Sequence, residues 1–211
     1  MESIASVRAR YESEFEALVQ RLRGLGTDSI WIFGGDYEFE GGQQLLQRTA
    51  ELAALLLFLR ERRPAGAYLE IGTASGGTTR LINEYLQPTR VLSIDDGKHP
   101  TFTEDALADL PNLAQHVGDS HAPPAREFIA SNLREPLAAA LIDADHSYDG
   151  VARDTELVLE FAQPGTLLIF HDIIAVPDVA RVWREQPGKP LAEFVDDHHA
   201  ALGIGVAEIE D

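Results

Sequence analysis

Short apolar runs alternate with amphipathic stretches along most of the chain, and this alternation predicts an α/β fold with a parallel sheet. Five apolar runs have the length of strands: Ala67–Ile71, Arg90–Asp95, Ala114–Val117, Leu137–Ile142 and Thr166–Phe170. Two further runs, Ala192–Val195 and Ile204–Ile209, are typical of a closing strand pair. The pattern therefore predicts a doubly wound, Rossmann-like sheet with helices on both faces.

Helical periodicity fills the segments between the strands. The predicted helices between and after them are Thr78–Leu86, Thr103–Asp109, Pro124–Asn132, Asp149–Ala162 and Asp178–Glu185. Two more helices precede the first strand: an amphipathic one over Ser3–Leu25 and a strongly apolar one over Gln43–Arg62. No repeat or linker interrupts the pattern, which indicates one compact domain.

The segment Trp31–Gly42 differs from its surroundings because it is aromatic, acidic and punctuated by glycine, with no helical period. It is either an aromatic cover packed on the core or a mobile wall of a substrate pocket. We therefore expect residues 1–42 to form an N-terminal helix with a substrate-covering segment, and residues 43–211 to form the functional domain.

Composition and charge narrow the classes of function. The 211 residues include no cysteine, which excludes disulfides and thiolate chemistry, and the formal net charge of −18 disfavours nucleic acid as a partner. No apolar run reaches the roughly 18 residues of a membrane span, and the acidic, polar start is unlike a signal peptide. These features predict a soluble, cytoplasmic protein that acts on a small molecule, with a homo-oligomer left open.

A glycine-rich turn follows the first predicted strand: Glu70-Ile71-Gly72-Thr73-Ala74-Ser75-Gly76-Gly77. Glycine lets the backbone approach a ligand closely. The spacing is neither that of a dinucleotide fold nor that of a P-loop. It resembles the cofactor loop of class I S-adenosylmethionine-dependent methyltransferases, which makes Glu70, Gly72, Thr73, Ala74, Ser75 and Gly76 candidate cofactor-binding residues. The alternative is a turn that only packs.

Acidic and imidazole side chains follow all five central strands, at the sheet edge where open α/β sheets bind ligands. Asp95 ends the second strand about twenty residues after the glycine turn, where it can accept the hydroxyls of a ribose. The next residue, Asp96, joins it as a cofactor candidate, although Asp96-Gly97 also suits a simple turn. Asp119 and Ser120 are placed to meet an adenine ring, or else to cap a helix.

The ends of the fourth and fifth strands carry three carboxylates and two imidazoles: Asp143, Asp145, His146, His171 and Asp172. Such a set suits a divalent cation, most simply Mg²⁺, although the imidazoles also tolerate softer metals. A cation can lower the pKa of a substrate hydroxyl, and a nearby histidine can take the proton. The alternative is a structural network without metal.

Taken together, the region from Glu40 to Asp172 resembles small class I O-methyltransferases of the catechol and caffeoyl-coenzyme A type, and especially those that act on macrolide sugars. The motifs Leu69–Gly77, Ser93–Asp95, Val117–Ser120, Leu141–His146 and Leu168–Asp172 carry the resemblance. It implies a seven-stranded sheet with the last strand antiparallel. It also implies metal ligands at Asp143, His171 and Asp172, a catalytic base at His146, and a role for Asp143 in both catalysis and cofactor binding.

One residue departs from that family, because His171 stands where a carboxylate is usual. An imidazole there should weaken Mg²⁺ binding. The chain is also similar to proteins labelled cephalosporin hydroxylases, so a metal-dependent oxygenase is one alternative and a non-catalytic cofactor-binding module is another. The sequence predicts methyl transfer from S-adenosylmethionine to a hydroxyl of a sugar, polyketide or other natural product.

Overall fold

A seven-stranded sheet forms the centre of the computed structural model, which describes residues 1–25, 45, 47–197 and 201–211. The strands are β1 Ala67–Ile71, β2 Arg90–Asp95, β3 Leu113–Val117, β4 Leu137–Ile142, β5 Leu167–His171, β6 Lys189–Phe194 and β7 Ile204–Glu208. Their order is β3-β2-β1-β4-β5-β7-β6, with β7 antiparallel to both of its neighbours. The predicted doubly wound sheet with an antiparallel last strand is confirmed.

Helices cover both faces of this sheet. They are α1 Ile4–Arg10, α2 Glu12–Arg23, α3 Thr49–Arg62, α4 Gly77–Leu86, α5 Pro123–Asn132, α6 Tyr148–Leu159 and α7 Pro177–Glu185. The first four helices, α1–α4, pack on one face of the sheet through one apolar cluster. The last three, α5–α7, pack on the other face through a second cluster. None of the helices in these ranges has both the length and the apolar character needed to span a membrane.

The helix α3 is buried nearly all round, which explains its lack of an amphipathic pattern. Ten of its residues, Thr49 and Glu51–Leu59, are buried between the sheet and the N-terminal helices. Glu51 is among them, and its carboxylate accepts hydrogen bonds from the backbone N–H groups of Asp196 and Gly203. A buried carboxylate thus fixes the chain that leads from β6 into β7.

Two predicted helices differ from the observed ones. The stretch Ser3–Leu25 is two helices, because the backbone of Tyr11 leaves the helical region while its ring packs beside Arg60. The stretch Thr103–Asp109 forms turns, with backbone hydrogen bonds between residues three positions apart, and it is not an α-helix. Its buried Leu107 packs on Gly76. In both places tertiary packing overrides the local period.

A third predicted helix, Gln43–Arg62, begins later than expected, because the described residues Leu45, Gln47 and Arg48 are not helical and α3 begins at Thr49. The segment Trp31–Gly42 lies outside the described residues. The predicted division at residue 42 therefore stays a prediction.

A buried acid lies inside the central strand β1. Glu70 is 1% exposed, and Tyr68 donates a hydrogen bond of 2.6 Å to its Oε2 atom. Burial raises the pKa of Glu70 to about 8, so this side chain is mainly neutral at pH 7 in the folded protein. The unfolded chain, by contrast, releases that proton near pH 4.5.

We therefore predict that Glu70→Gln flattens the pH dependence of stability. Between about pH 5 and pH 8 the folded protein keeps a proton that the unfolded chain loses, so the wild type loses up to roughly 1 kcal/mol per pH unit from this group. Urea unfolding of the ligand-free protein at pH 5.5, 7 and 8.5 measures the slope.

Glu84→Gln is the matched control, since Glu84 is exposed and paired with Arg21, and it stays ionised across this range. Equal slopes in the wild type and in Glu70→Gln would contradict the assignment.

Candidate functional site

A cleft of about 620 Å³ opens at the carboxyl ends of β1 to β5, within the size range of small-molecule sites. Its described lining includes most predicted site residues, namely Glu70, Gly72, Thr73, Ala74, Ser75, Asp95, Asp96, Asp119, Ser120, Asp143, His146, His171 and Asp172. Both the glycine turn and the acid–imidazole cluster therefore face one cavity. Gly76 is not among the described lining residues; it forms the N-cap of α4 and packs on Leu107.

The glycine turn wraps around the end of the sheet in a conformation that needs its small residues. Gly72 has φ 93°, and a Cβ atom there would overlap the carbonyl of Asp143 on the neighbouring strand. Ala74 also has a positive φ, of 46°. Backbone therefore lines this part of the cleft, as close approach to a ligand requires.

Asp95 holds the turn in place. Its Oδ2 atom accepts a hydrogen bond of 2.7 Å from the backbone N–H of Ala74, and its Oδ1 atom accepts one of 2.8 Å from Gly97. Each carboxylate oxygen has a further lone pair for a ligand hydroxyl. Asp95 thus lines the cleft and also shapes the loop that follows β1.

The other predicted cofactor residues have different surroundings. Thr73 and Ser93 share a buried hydrogen bond of 2.7 Å between their hydroxyls. Asp96 is paired with Lys98, and Asp119 accepts a hydrogen bond from the backbone N–H of His121. The helix that follows is capped at Ala122, so the alternative that Asp119 or Ser120 caps it is wrong.

Four side chains from the ends of β4 and β5 form one cluster. Nε2 of His146 lies 2.9 Å from Oδ2 of Asp172 and 3.6 Å from Oδ1 of Asp143. Nδ1 of His171 lies 3.1 Å from Oδ1 of Asp143 and 3.3 Å from Oδ2 of Asp172. The fifth candidate, Asp145, instead accepts a hydrogen bond from the backbone N–H of Ser147.

The pKa shifts in this cluster favour the charged forms of both imidazoles and both carboxylates. Hydrogen bonds to Asp143 and Asp172 raise the pKa of His146 to about 10. Burial lowers the pKa of His171, but the two carboxylates outweigh it and raise this pKa well above its usual value. Burial also opposes ionisation of Asp143 and Asp172, yet the imidazolium of His171 and the bond from His146 hold both pKa values below their usual range.

The donor set fits a divalent cation. Asp143, His146 and Asp172 each offer a ligand atom, and these atoms lie within 4.8 Å of one another. His171 offers Nδ1 to the same two carboxylates. Two carboxylates with imidazole suit Mg²⁺, Mn²⁺ or a softer metal. The geometry brings the predicted ligands and the predicted base together, and it adds His146 to the possible ligands.

Sequence reasoning missed three residues of this site. Gln47, buried just before α3, donates a hydrogen bond of 3.1 Å from Nε2 to Oδ2 of Asp143. His121 lines the cleft beside Ser120, and the buried Asp154 lies behind both of them. The sequence does show Gln47 as a polar residue at the edge of an apolar helix. It cannot show that this side chain meets Asp143, which is 96 positions away.

Comparison with known proteins agrees with this geometry. Residues 69–173 match a family described as a methyltransferase domain. A search of curated proteins gives no match.

Solved structures share the fold at low identity. The O-methyltransferase TomG from Streptomyces achromogenes, involved in tomaymycin synthesis and in complex with SAM, is 17% identical with a TM-score of 0.61 over 95% of this chain and 99% of its own. An O-methyltransferase from Bacillus cereus in complex with SAH is 18% identical with a TM-score of 0.58 over 94% and 91%. MycE methyltransferase from the mycinamycin biosynthetic pathway, in complex with Mg and SAH, is 14% identical with a TM-score of 0.55 over 93% and 54%.

The family match covers every strand end that contributes to the glycine turn and to the acid–imidazole cluster. The sheet order and the structural neighbours agree with it across the rest of the described chain. Residues 69–173 therefore belong to the methyltransferase domain family, and the protein is a methyltransferase with the class I fold.

Proposed function

We propose that this protein transfers a methyl group from S-adenosylmethionine to a hydroxyl oxygen of a small molecule. The observation that carries the proposal is that one cleft holds both a glycine turn braced by Asp95 and an acid–imidazole cluster at the next strands of the sheet. The family match favours a methyltransferase over the oxygenase alternative.

The β1 and β2 side of the cleft would bind the methyl donor. Asp95 accepts the ribose hydroxyls, and Asp119 and Ser120 face the adenine. The N-terminus of α4, at Gly77 and Thr78, lines the same cleft. The positive end of its helix dipole would suit the carboxylate of the methionine part of the donor. Complexes of TomG with SAM and of the Bacillus cereus enzyme with SAH support this choice of cofactor.

The β4 and β5 side would bind and activate the acceptor hydroxyl. The side chain of His146 is 46% exposed and that of His171 only 4%, so His146 is the imidazole that a substrate can reach. We assign His146 as the base and Asp143, His171 and Asp172 as the residues that hold a cation. A bound divalent cation would lower the pKa of the acceptor hydroxyl.

Charge in the cluster explains why His146 depends on that cation. Hydrogen bonds to the two carboxylates raise the pKa of His146 to about 10, and an imidazolium at pH 7 cannot take a proton. A cation held by Asp143, His171 and Asp172 would compete for these carboxylates and would so lower the pKa of His146. The neutral imidazole of His146 could then accept the hydroxyl proton as the oxygen attacks the methyl carbon.

The substrate class rests on the structural neighbours and on charge. TomG is involved in tomaymycin synthesis and MycE belongs to the mycinamycin pathway, which favours a hydroxyl of a natural product, such as a sugar or polyketide. The net charge of −18 disfavours a nucleic acid acceptor. Assembly into a homo-oligomer stays a prediction.

Asp95→Ala should weaken S-adenosylmethionine binding by roughly 100-fold, because it removes the ribose acceptor and releases the turn at Ala74. Isothermal titration calorimetry measures the dissociation constant. The control is Asp109→Ala, an exposed acid that pairs with Arg80. A dissociation constant of Asp95→Ala equal to that of the wild type would contradict the assignment.

His146→Ala should lower methyl transfer by roughly 100-fold or more and leave cofactor affinity unchanged, because a base acts on the acceptor only. Transfer of a radiolabelled methyl group to a panel of hydroxylated natural products measures the rate. His116→Ala, on β3 and stacked on Phe128, is the control. A rate close to that of the wild type would assign the proton transfer elsewhere.

Metal removal tests the cation site separately. Dialysis against EDTA should abolish transfer, and Mg²⁺, Mn²⁺ or Co²⁺ should restore it. Asp172→Asn should weaken metal binding at least tenfold in calorimetry, because it removes a carboxylate charge. Full activity in EDTA, with no metal bound by the wild type, would identify the cluster as a structural network.

A further inference from the structure

A buried three-residue network lies where the loop after β3 meets α6. Asp154, on α6, is fully buried. Its Oδ1 atom accepts a hydrogen bond of 2.6 Å from the hydroxyl of Ser120 and lies 3.1 Å from Nε2 of His121. Ser120 and His121 line the cleft, whereas Asp154 stands behind them. The network thus connects two ligand-facing side chains to one buried carboxyl group.

The network fixes where the polar hydrogens point. The single hydroxyl hydrogen of Ser120 is used toward Asp154, so its oxygen offers only lone pairs to the cleft. Nε2 of His121 also lies 3.2 Å from the carbonyl oxygen of Gly150, which can only accept, so Nε2 carries hydrogen. The other ring nitrogen, Nδ1, lies 3.8 Å from a carboxylate oxygen of Asp119 and is the acceptor in the neutral ring.

Asp154 keeps its role as an acceptor in either protonation state. Burial raises the pKa of this carboxyl group. Its second oxygen, Oδ2, is buried and has no hydrogen-bond partner among the residues that the structure describes. A proton taken up by the side chain can therefore occupy Oδ2, which leaves Oδ1 to accept from Ser120 and His121.

We infer that Asp154 is a positioning residue that makes this part of the cleft select a 6-amino purine over a 6-oxo purine. The inference rests on the proposed binding of an adenosyl donor. The amino group of adenine donates hydrogen bonds, which suit the lone pairs of Ser120 and the carboxylate of Asp119. The oxygen of hypoxanthine only accepts, so its lone pairs would meet those of the protein without a hydrogen between them.

The test compares S-adenosylhomocysteine with S-inosylhomocysteine by calorimetry. The wild type should prefer the adenosyl ligand by roughly 100-fold, as expected when a mismatch leaves polar groups unpaired. Asp154→Leu frees the Ser120 hydroxyl to donate into the cleft, so the preference should fall to about 10-fold or less. Ser120→Ala, which removes the acceptor, should reduce the preference as well.

Thr155→Val is the matched control, because Thr155 is on the same helix and its buried hydroxyl donates to the backbone carbonyl of Val151. It should keep the wild-type preference. A general loss of packing would weaken both ligands alike and leave their ratio unchanged. The inference is overturned if folded Asp154→Leu keeps the wild-type preference for the adenosyl ligand over the inosyl ligand. If Asp154→Leu does not fold, the same result in Ser120→Ala overturns it. Failure of the wild type to bind either ligand overturns the proposed function itself.

Discussion

The close approach of β1 and β4 at Gly72 and Asp143 is the constraint on which the cleft depends. The backbone N–H of Asp143 bonds to the carbonyl of Ile71 at 2.9 Å, and no side chain at Gly72 could fit against the carbonyl of Asp143. In the sheet, β2 lies beside β1 on one side of this contact, and β5 lies beside β4 on the other side. The glycine turn and the acid–imidazole cluster are therefore held side by side by backbone contacts.

The acids beside this contact differ in their ionisation. Glu70 accepts a hydrogen bond from the hydroxyl of Tyr68, and burial raises its pKa to about 8, which keeps it mainly neutral at pH 7. Asp172 is buried and Asp143 is half-buried, but the imidazoles of His146 and His171 keep both carboxylates ionised. The negative charge of the sheet edge is thus concentrated where a cation could bind, whereas the acid inside β1 stays mainly neutral.

Patterns of apolar residues were enough to predict the strands, since β1, β2 and β4 have the predicted bounds and the edge acids lie in one cleft. The family resemblance supplied the antiparallel last strand. The pattern could not predict the break at Tyr11, because the apolar face continues across it. Nor could it find Gln47 or Asp154, whose partners lie 96 and 34 positions away and are brought near only by the fold.

The two parts of the cleft meet at the loop between β4 and α6. Asp145 on this loop packs against Gly150, whose carbonyl oxygen is 3.2 Å from Nε2 of His121, and His146 is the next residue after Asp145. In the proposed function, the donor is recognised beside Ser120 and His121 and reacts beside His146. Asp154 is not a member of the acid–imidazole cluster, so its substitution can change which donor is bound while His146 and the carboxylates keep their own side-chain contacts. One backbone turn nevertheless positions both the recognition of the donor and the chemistry.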